Sequence, residues 1–220
     1  DLEIGRIPDT TYDAIIGAGE LAPYRHYLDH ERRAAVHNLT EPEEKILVET
    51  ANARGRAFAR LATEVNSRAV FRIELDGESR EKSQSEILSL LHNPDREIRR
   101  KAAESVTGGL SENAHVCTYI YNTLLHEKDV LDRLRSYPSP EDSRHLGNEL
   151  AGEIVDAVSD ACARNYGIVA DYYRLKGRLL GLDDLTHYDR YAPIPGEDTS
   201  KIPFERAKSV VVESFAEFSP

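Results

Sequence analysis

Apolar residues recur at steps of three and four positions along most of the chain, which is the spacing of one face of an α-helix. The pattern covers residues 22–36, 42–66, 83–91, 111–134, 146–180 and 203–218. Between the second and third of these runs, residues 70–75 alternate apolar and polar side chains and end at Asp76-Gly77, which predicts a short strand and a tight turn. We therefore predict an all-α, multi-helix array with one short β segment near residues 69–76.

Local signals indicate where these helices begin and end. Thr40 and Glu43 have the spacing of a capping box, and Asn93 before Pro94 is the expected N-cap of a helix that Gly108-Gly109 interrupts. Two prolines make residues 137–140 a rigid loop, and Gly181 is the expected C-cap of the longest run. That run is one long helix or a helix pair with a kink at residues 165–167. It should bury one apolar face, made of Leu150, Ile154, Val158, Cys162, Val169, Tyr172, Leu175 and Leu179.

Composition and charge narrow the classes of protein. The 220 residues allow one large or two small domains, and a net charge of −11 argues against a nucleic-acid partner, which requires a basic face. No stretch approaches the ~20 apolar residues of a membrane-spanning helix, so we expect no membrane partner. Two cysteines, Cys117 and Cys162, are too few for a disulfide framework, which favours a reducing, cytoplasmic location. The mixed charges of residues 95–101 indicate a solvated helix face.

Eight histidines raise the question of a metal site. His26 and His30 have the i, i+4 spacing that lets two imidazoles face one zinc ion, with Asp29 directly before the second histidine. The sequence indicates no third ligand, so we favour two histidines on an amphipathic surface helix. His30-Glu31 and His126-Glu127 each lack the second histidine of an H-E-x-x-H motif, and there is no G-x-S-x-G elbow. From the residues alone we assign no catalytic group and no metal ligand.

Several longer strings keep a common order and spacing from about residue 20 onward. One of them is Tyr188-Asp189-Arg190-Tyr191-Ala192-Pro193, and the others span residues 24–28, 39–45, 93–99, 112–115, 132–140, 143–149, 172–176 and 179–182. In these strings the chain resembles the amino-terminal and middle portion of the oligoendopeptidase F family, which is similar to thimet oligopeptidase.

The resemblance implies a mostly helical zinc metallopeptidase that cleaves short peptides inside a deep cleft. In that family an H-E-x-x-H helix and a downstream glutamate hold the zinc, and the helix follows the Tyr-Ala-Pro loop, here residues 191–193. This sequence has no such helix. We therefore expect zinc in the parent enzyme and none bound by this chain, and no catalytic residue is transferred from the family.

The resemblance also implies a division of the chain. Residues 1–68 would form an amino-terminal helical cap, residues 69–82 a short strand and linker, and residues 83–220 the first helices of an incomplete peptidase domain. Such a segment would form part of the wall of the substrate cleft and be catalytically silent alone. Candidate cleft contacts are Tyr137, Arg144, His145 and Asn148, although a tight turn between packed helices explains each of them as well.

The absence of a starting methionine and the end just after an amphipathic run suggest an incomplete enzyme. The alternative is a non-catalytic helical protein that binds peptides or acts as a scaffold and has lost the catalytic half. For the incomplete enzyme we expect exposed apolar faces on helices such as 147–180, self-association through them, and short peptides as the partner.

Overall fold

The computed structural model describes residues 2–17, 19–196 and 202–218, and its amino-terminal part is a chain of short helices. They are α1 (Leu2–Arg6), α2 (Asp9–Gly17), α3 (Arg25–Ala34), α4 (Glu41–Thr50) and α5 (Gly55–Ser67). Short 3₁₀ turns extend or connect several of them. The predicted capping box is present, because the Thr40 backbone N–H donates to Glu43 at 2.9 Å.

A β-hairpin and a second set of helices follow. The hairpin consists of β1 (Phe71–Leu75) and β2 (Glu78–Lys82), which pair antiparallel. The helices after it are α6 (Gln84–Ser89), α7 (Arg96–Glu112), α8 (Ala114–Leu134), α9 (Asp142–Gly147), α10 (Gly152–Leu180) and α11 (Phe204–Phe218). The predicted all-α architecture with one short β segment is confirmed.

The second strand is the element that the sequence pattern missed. Each residue of β2 except Lys82 is exposed, so β2 has no apolar alternation to detect. Only β1 has the alternating pattern, and its Phe71 and Ile73 pack with Ile87 of α6 and Ala102 of α7 in a small core. The hairpin is therefore held to the helices by one face of β1.

The predicted helical run 42–66 is two helices, not one. The chain leaves helical geometry at Arg54, whose φ and ψ are −106° and −131°, and α5 begins at Gly55. A Cβ at Gly55 would lie 1.8 Å from an oxygen at the end of the flexible Glu127 side chain on α8, so a larger residue here would displace that side chain. Directly after this break, α5 packs against α8.

Two expectations about α7 are wrong. Asp95, not Asn93, is its N-cap, since the Asp95 carboxylate accepts from the Glu97 N–H at 2.8 Å. Gly108 and Gly109 do not interrupt the helix, which continues to Glu112. A Cβ at Gly109 would lie 2.6 Å from the buried Phe71 ring, so this glycine permits close packing of α7 on β1.

The face of α10 that we expected to be buried is exposed. Its apolar side chains form the predicted stripe, but Val158 is 59% exposed and Cys162 is exposed too. Gly181 ends the helix with φ at 65°, as the sequence predicts. The apolar exposure expected of residues 147–180 is observed. Among the described residues, no helix is both long enough and apolar enough to cross a bilayer.

Candidate functional site

Tyr137 lies in the loop that follows α8, beside a groove of about 440 Å³. Its ring stacks on His37 with 3.9 Å between centroids. Ser136 before it has φ at 56°, which turns the chain sharply away from α8. Pro138 and Pro140 also line the groove, so its rim is rigid, as the two prolines predicted.

Arg135 fixes this loop to the amino-terminal helices. Its guanidinium donates to both carboxylate oxygens of Glu44 at 2.7 and 2.8 Å, and to the His37 carbonyl at 3.1 Å. The hydrogen bonds from Arg135 lower the pKa of Glu44, and the same bonds raise the pKa of Arg135. The rim of the Tyr137 groove is therefore tied to α4.

The other three sequence candidates lie on α9 and at its end, outside the Tyr137 groove. Arg144 and Asn148 are exposed, and His145 is half-buried. The Asn148 N–H donates to the Arg144 carbonyl at 2.9 Å, and the Leu150 N–H donates to the His145 carbonyl at 3.0 Å. The structure thus places Arg144, His145 and Asn148 together and Tyr137 apart from them. Their role in a cleft stays a prediction.

Glu149, which the sequence did not single out, is the centre of a charged cluster. His26 of α3 lies 2.8 Å from its carboxylate, His30 lies 3.7 Å away, and Arg33 lies 3.5 Å away. Glu149 itself has φ at 55°, a conformation that is strained for a residue other than glycine. The histidine spacing indicated one half of this cluster, but no local signal indicated its partner 123 positions away.

This cluster does not fit a zinc ion. Two imidazoles and a carboxylate are ligand types that zinc accepts, and the buried Nδ1 of His30 has no hydrogen-bond partner among the described residues. The guanidinium of Arg33, however, shares the Glu149 carboxylate and repels a cation there. Within residues 2–17, 19–196 and 202–218, no group of three or more His, Cys, Asp or Glu is arranged to hold a metal.

A second missed feature is the buried carboxylate of Asp189. It accepts from Arg96 at 2.9 Å, from Arg99 at 2.9 Å, and from the Thr186 hydroxyl at 2.9 Å. Burial alone would raise the pKa of Asp189, but the hydrogen bonds from Arg96, Thr186 and Arg99 outweigh it and hold that pKa well below its usual range. Arg99 is 3% exposed, so the prediction of a solvated face over residues 95–101 is wrong at this position.

The Asp189 network holds the segment after α10 against α7. Lys176 of α10 adds to it, since its ammonium donates to the Arg190 carbonyl at 2.8 Å. His92 stacks on Tyr191 with 4.8 Å between centroids. These contacts order the Tyr-Ala-Pro loop.

Comparison with known proteins gives consistent matches. A family model described as Oligopeptidase F matches residues 3–71. Oligopeptidase PepF of Bacillus subtilis (strain 168) is 21% identical over 210 residues, which cover 94% of this chain and 31% of PepF. Group B oligopeptidase PepB of Streptococcus agalactiae serotype III (strain NEM316) is 23% identical, over 90% of this chain and 33% of PepB. The chain thus spans about a third of the length of these curated relatives.

A solved structure shows the same fold. The crystal structure of oligoendopeptidase-F from Enterococcus faecium matches 97% of this chain and 40% of its own, with a TM-score of 0.78 and 24% identity. At this identity the match shows the fold alone. Together with the sequence matches, it confirms the resemblance to the amino-terminal portion of the oligoendopeptidase F family.

Proposed function

We propose that this chain, a relative of the oligoendopeptidase F family over its amino-terminal portion, is part of a zinc-dependent enzyme that hydrolyses short peptides. In that enzyme it forms part of the wall of the substrate cleft and contributes no catalytic group. The observation on which the proposal rests is the alignment with PepF, which covers 94% of this chain but only 31% of PepF.

The exposed apolar face of α10 supports this role. Ile154, Val158, Val169 and Tyr172 lie along one stripe of the helix, and each is about half exposed or more. Phe215 of α11 is 71% exposed. Monomeric proteins rarely leave such continuous apolar surface in water. We infer that further residues of the enzyme cover these faces, and that the 220-residue chain self-associates through them when it is alone.

The zinc belongs to the proposed enzyme and not to this chain. The His26, His30 and Glu149 cluster does not fit the metal, and we transfer no ligand from the family. The proposed location is the cytoplasm, which is supported by the two cysteines, Cys117 and Cys162, both of which are free thiols.

The first test asks whether the chain is silent. The 220-residue chain is incubated with zinc and a quenched short peptide, with and without a chelator. We expect no chelator-sensitive cleavage. A His26→Gln/His30→Gln variant is the matched control, because cleavage that the chelator stops and this variant lacks would place a catalytic metal in the chain and overturn the proposal.

The second test asks whether a catalytic half follows and whether α9 lines the substrate cleft. The gene is read on from the codon of Pro220. We expect an H-E-x-x-H motif in the following few hundred codons. A stop codon there would favour the alternative of a non-catalytic binding or scaffold protein.

In the protein that the gene encodes, Arg144→Ala and Asn148→Ala should raise KM several-fold and leave kcat unchanged. Lys45→Ala, at an exposed position of α4, is the control. Equal KM values in all three variants would remove α9 from the cleft wall.

A further inference from the structure

One edge of the β-hairpin has hydrogen-bonding groups without partners. Asp76 and Gly77 have φ at 55° and 80°, which is the geometry of a type I′ turn, and the register pairs Leu75 with Glu78. In such a hairpin the backbone groups of alternate residues face the partner strand. Those of Arg72 and Glu74 therefore face away from β2, and no hydrogen bond among the described residues satisfies them.

A groove of about 480 Å³ lies along this free edge, between β1 and α7. Residues of β1 and α7 line it, and no residue of β2 does, which places it on the unpaired side of the hairpin. Gly108 lines the groove and leaves open space, since a Cβ there would meet nothing within 4 Å. The hydroxyl oxygen of Ser105, which also lines the groove, is buried and has no hydrogen-bond partner in the described part of the chain.

The groove has the length of a short peptide and an unpaired cation at one end. Lys101 and Glu112 line it and are 11 positions apart on α7, which is roughly 17 Å of helix, or about five residues of extended chain. Glu112 lies near the start of β1, because its carboxylate is 3.9 Å from the guanidinium of Arg72. Lys101 lies at the other end and takes part in none of the ion pairs among the described residues. A free peptide has a carboxylate at one end, which matches the unpaired Lys101 ammonium. At the other end Arg72 shares the Glu112 carboxylate, so the orientation of the peptide is argued from Lys101 alone.

We propose that this groove binds a short, extended peptide as a third strand beside β1. The peptide lies parallel to β1, with its amino end near Glu112 and its free carboxylate near Lys101. Its backbone pairs with Arg72 and Glu74, and its inward side chains are small enough to fit over Gly108. The inference is independent of the proposed peptidase activity, because it concerns binding without turnover.

The probe is the pentapeptide Ala-Val-Ala-Val-Ala with free ends, titrated into the ¹⁵N-labelled chain. We expect the amide signals of Arg72 and Glu74 to shift and their hydrogen exchange to slow, while the amides of Ile73 and Leu75, already paired with β2, change little. N-methylation at one set of alternate peptide nitrogens should abolish binding, and methylation at the other set should leave it intact. Equal effects of the two sets would overturn pairing with β1.

Two variants test the charges and the floor. Amidation of the peptide carboxylate should weaken binding about two- to fivefold, as expected for a partly solvated charge pair, and should have no effect on a Lys101→Gln variant. Lys45→Gln on α4 is the matched control and should behave as the unaltered chain. Gly108→Val should place a branched side chain in the groove and weaken binding. No shift at millimolar peptide would overturn the proposal. Shifts of the Arg72 and Glu74 amides that follow protein concentration in the absence of peptide would also overturn it, because they would show a second copy at this edge.

Discussion

Asparagine at position 189 would remove the charge that the two arginines of α7 share and would keep the shape of the side chain. Asp189 is fully buried and Arg99 is 3% exposed. The change leaves the Arg99 guanidinium buried beside a neutral amide. Removal of one partner from a buried ion pair costs about 3–5 kcal/mol. Since the amide oxygen keeps part of the hydrogen bonding, we expect the free energy of unfolding of Asp189→Asn to fall by about 3 kcal/mol.

Urea unfolding followed by circular dichroism measures this loss, with Asp184→Asn as the matched control. Asp184 is exposed, and its contact with Arg96 is made by the backbone carbonyl, which the substitution keeps. We expect the control to change the free energy by less than about 0.5 kcal/mol. A change in midpoint with an unchanged urea slope would locate the effect in stability and not in the unfolded state.

The pH dependence gives an independent check on the same contact. The folded pKa of Asp189 lies below its value in the unfolded chain, which is about 3.9. Its contribution is therefore complete well above pH 4 and is lost as the pH falls below about 4. The difference in stability between the unaltered chain and Asp189→Asn should accordingly shrink from pH 7 to pH 3. A difference below about 1 kcal/mol at pH 7, or one that stays constant down to pH 3, would refute the reasoning.

Three further predictions concern packing, the Tyr137 loop and association. Gly108→Ala should stabilise the chain by about 1 kcal/mol through helix propensity, whereas Gly109→Ala should destabilise it by about 1–2 kcal/mol because its Cβ meets the Phe71 ring. Thermal melts of the two variants measure these changes, and equal shifts in melting temperature would contradict the prediction. Glu44→Gln should cost about 1–2 kcal/mol in urea by removing the charged partner of Arg135, with exposed Glu49→Gln as the control. Sedimentation velocity should show concentration-dependent association of the chain. Val158→Glu should weaken this association, and Glu153→Gln, at an exposed position of the same helix, should not. A monomer at all concentrations would argue against the apolar face as an association surface.

The elements that the sequence predicts correctly depend on neighbours a few positions apart. The helical period, the capping box at Thr40 and the C-cap at Gly181 are all local, and so is the alternation that predicts β1. β2 has only exposed or partly exposed polar side chains, so its pairing with β1 is decided by the turn and not by its own pattern. Gly109 shows the reverse case, in which a local helix-breaking signal is overridden because the glycine is needed for packing on Phe71.

The polar contacts could not be predicted because their partners are far apart in the chain. Arg99 and Asp189 are 90 positions apart, and His26 and Glu149 are 123 apart. Mixed charges at helical spacing are usually solvated, and only tertiary contact shows that Arg99 is not. The apolar stripe on α10 is a similar case. The helical spacing of its apolar residues predicts that an apolar face exists, but it does not predict whether other residues cover that face.

The contacts between the predicted cap, residues 1–68, and the later helices bear on the proposed cleft wall. Arg135 pairs with Glu44, Arg54 lies 3.7 Å from Glu127, and His26 pairs with Glu149. The His26 pair is largely solvated and contributes little by itself, whereas the bidentate Arg135 pair is the one that Glu44→Gln tests. The later partner in each pair lies on α8 or between α8 and α10, and α5 packs on α8 as well. The orientation of the predicted cap therefore depends on α8 and on residues 135–149, which include Tyr137, Arg144, His145 and Asn148. If these four residues line a cleft, the shape of that cleft depends on α8, and substitutions that loosen α5 from α8 should alter peptide binding without touching any of the four.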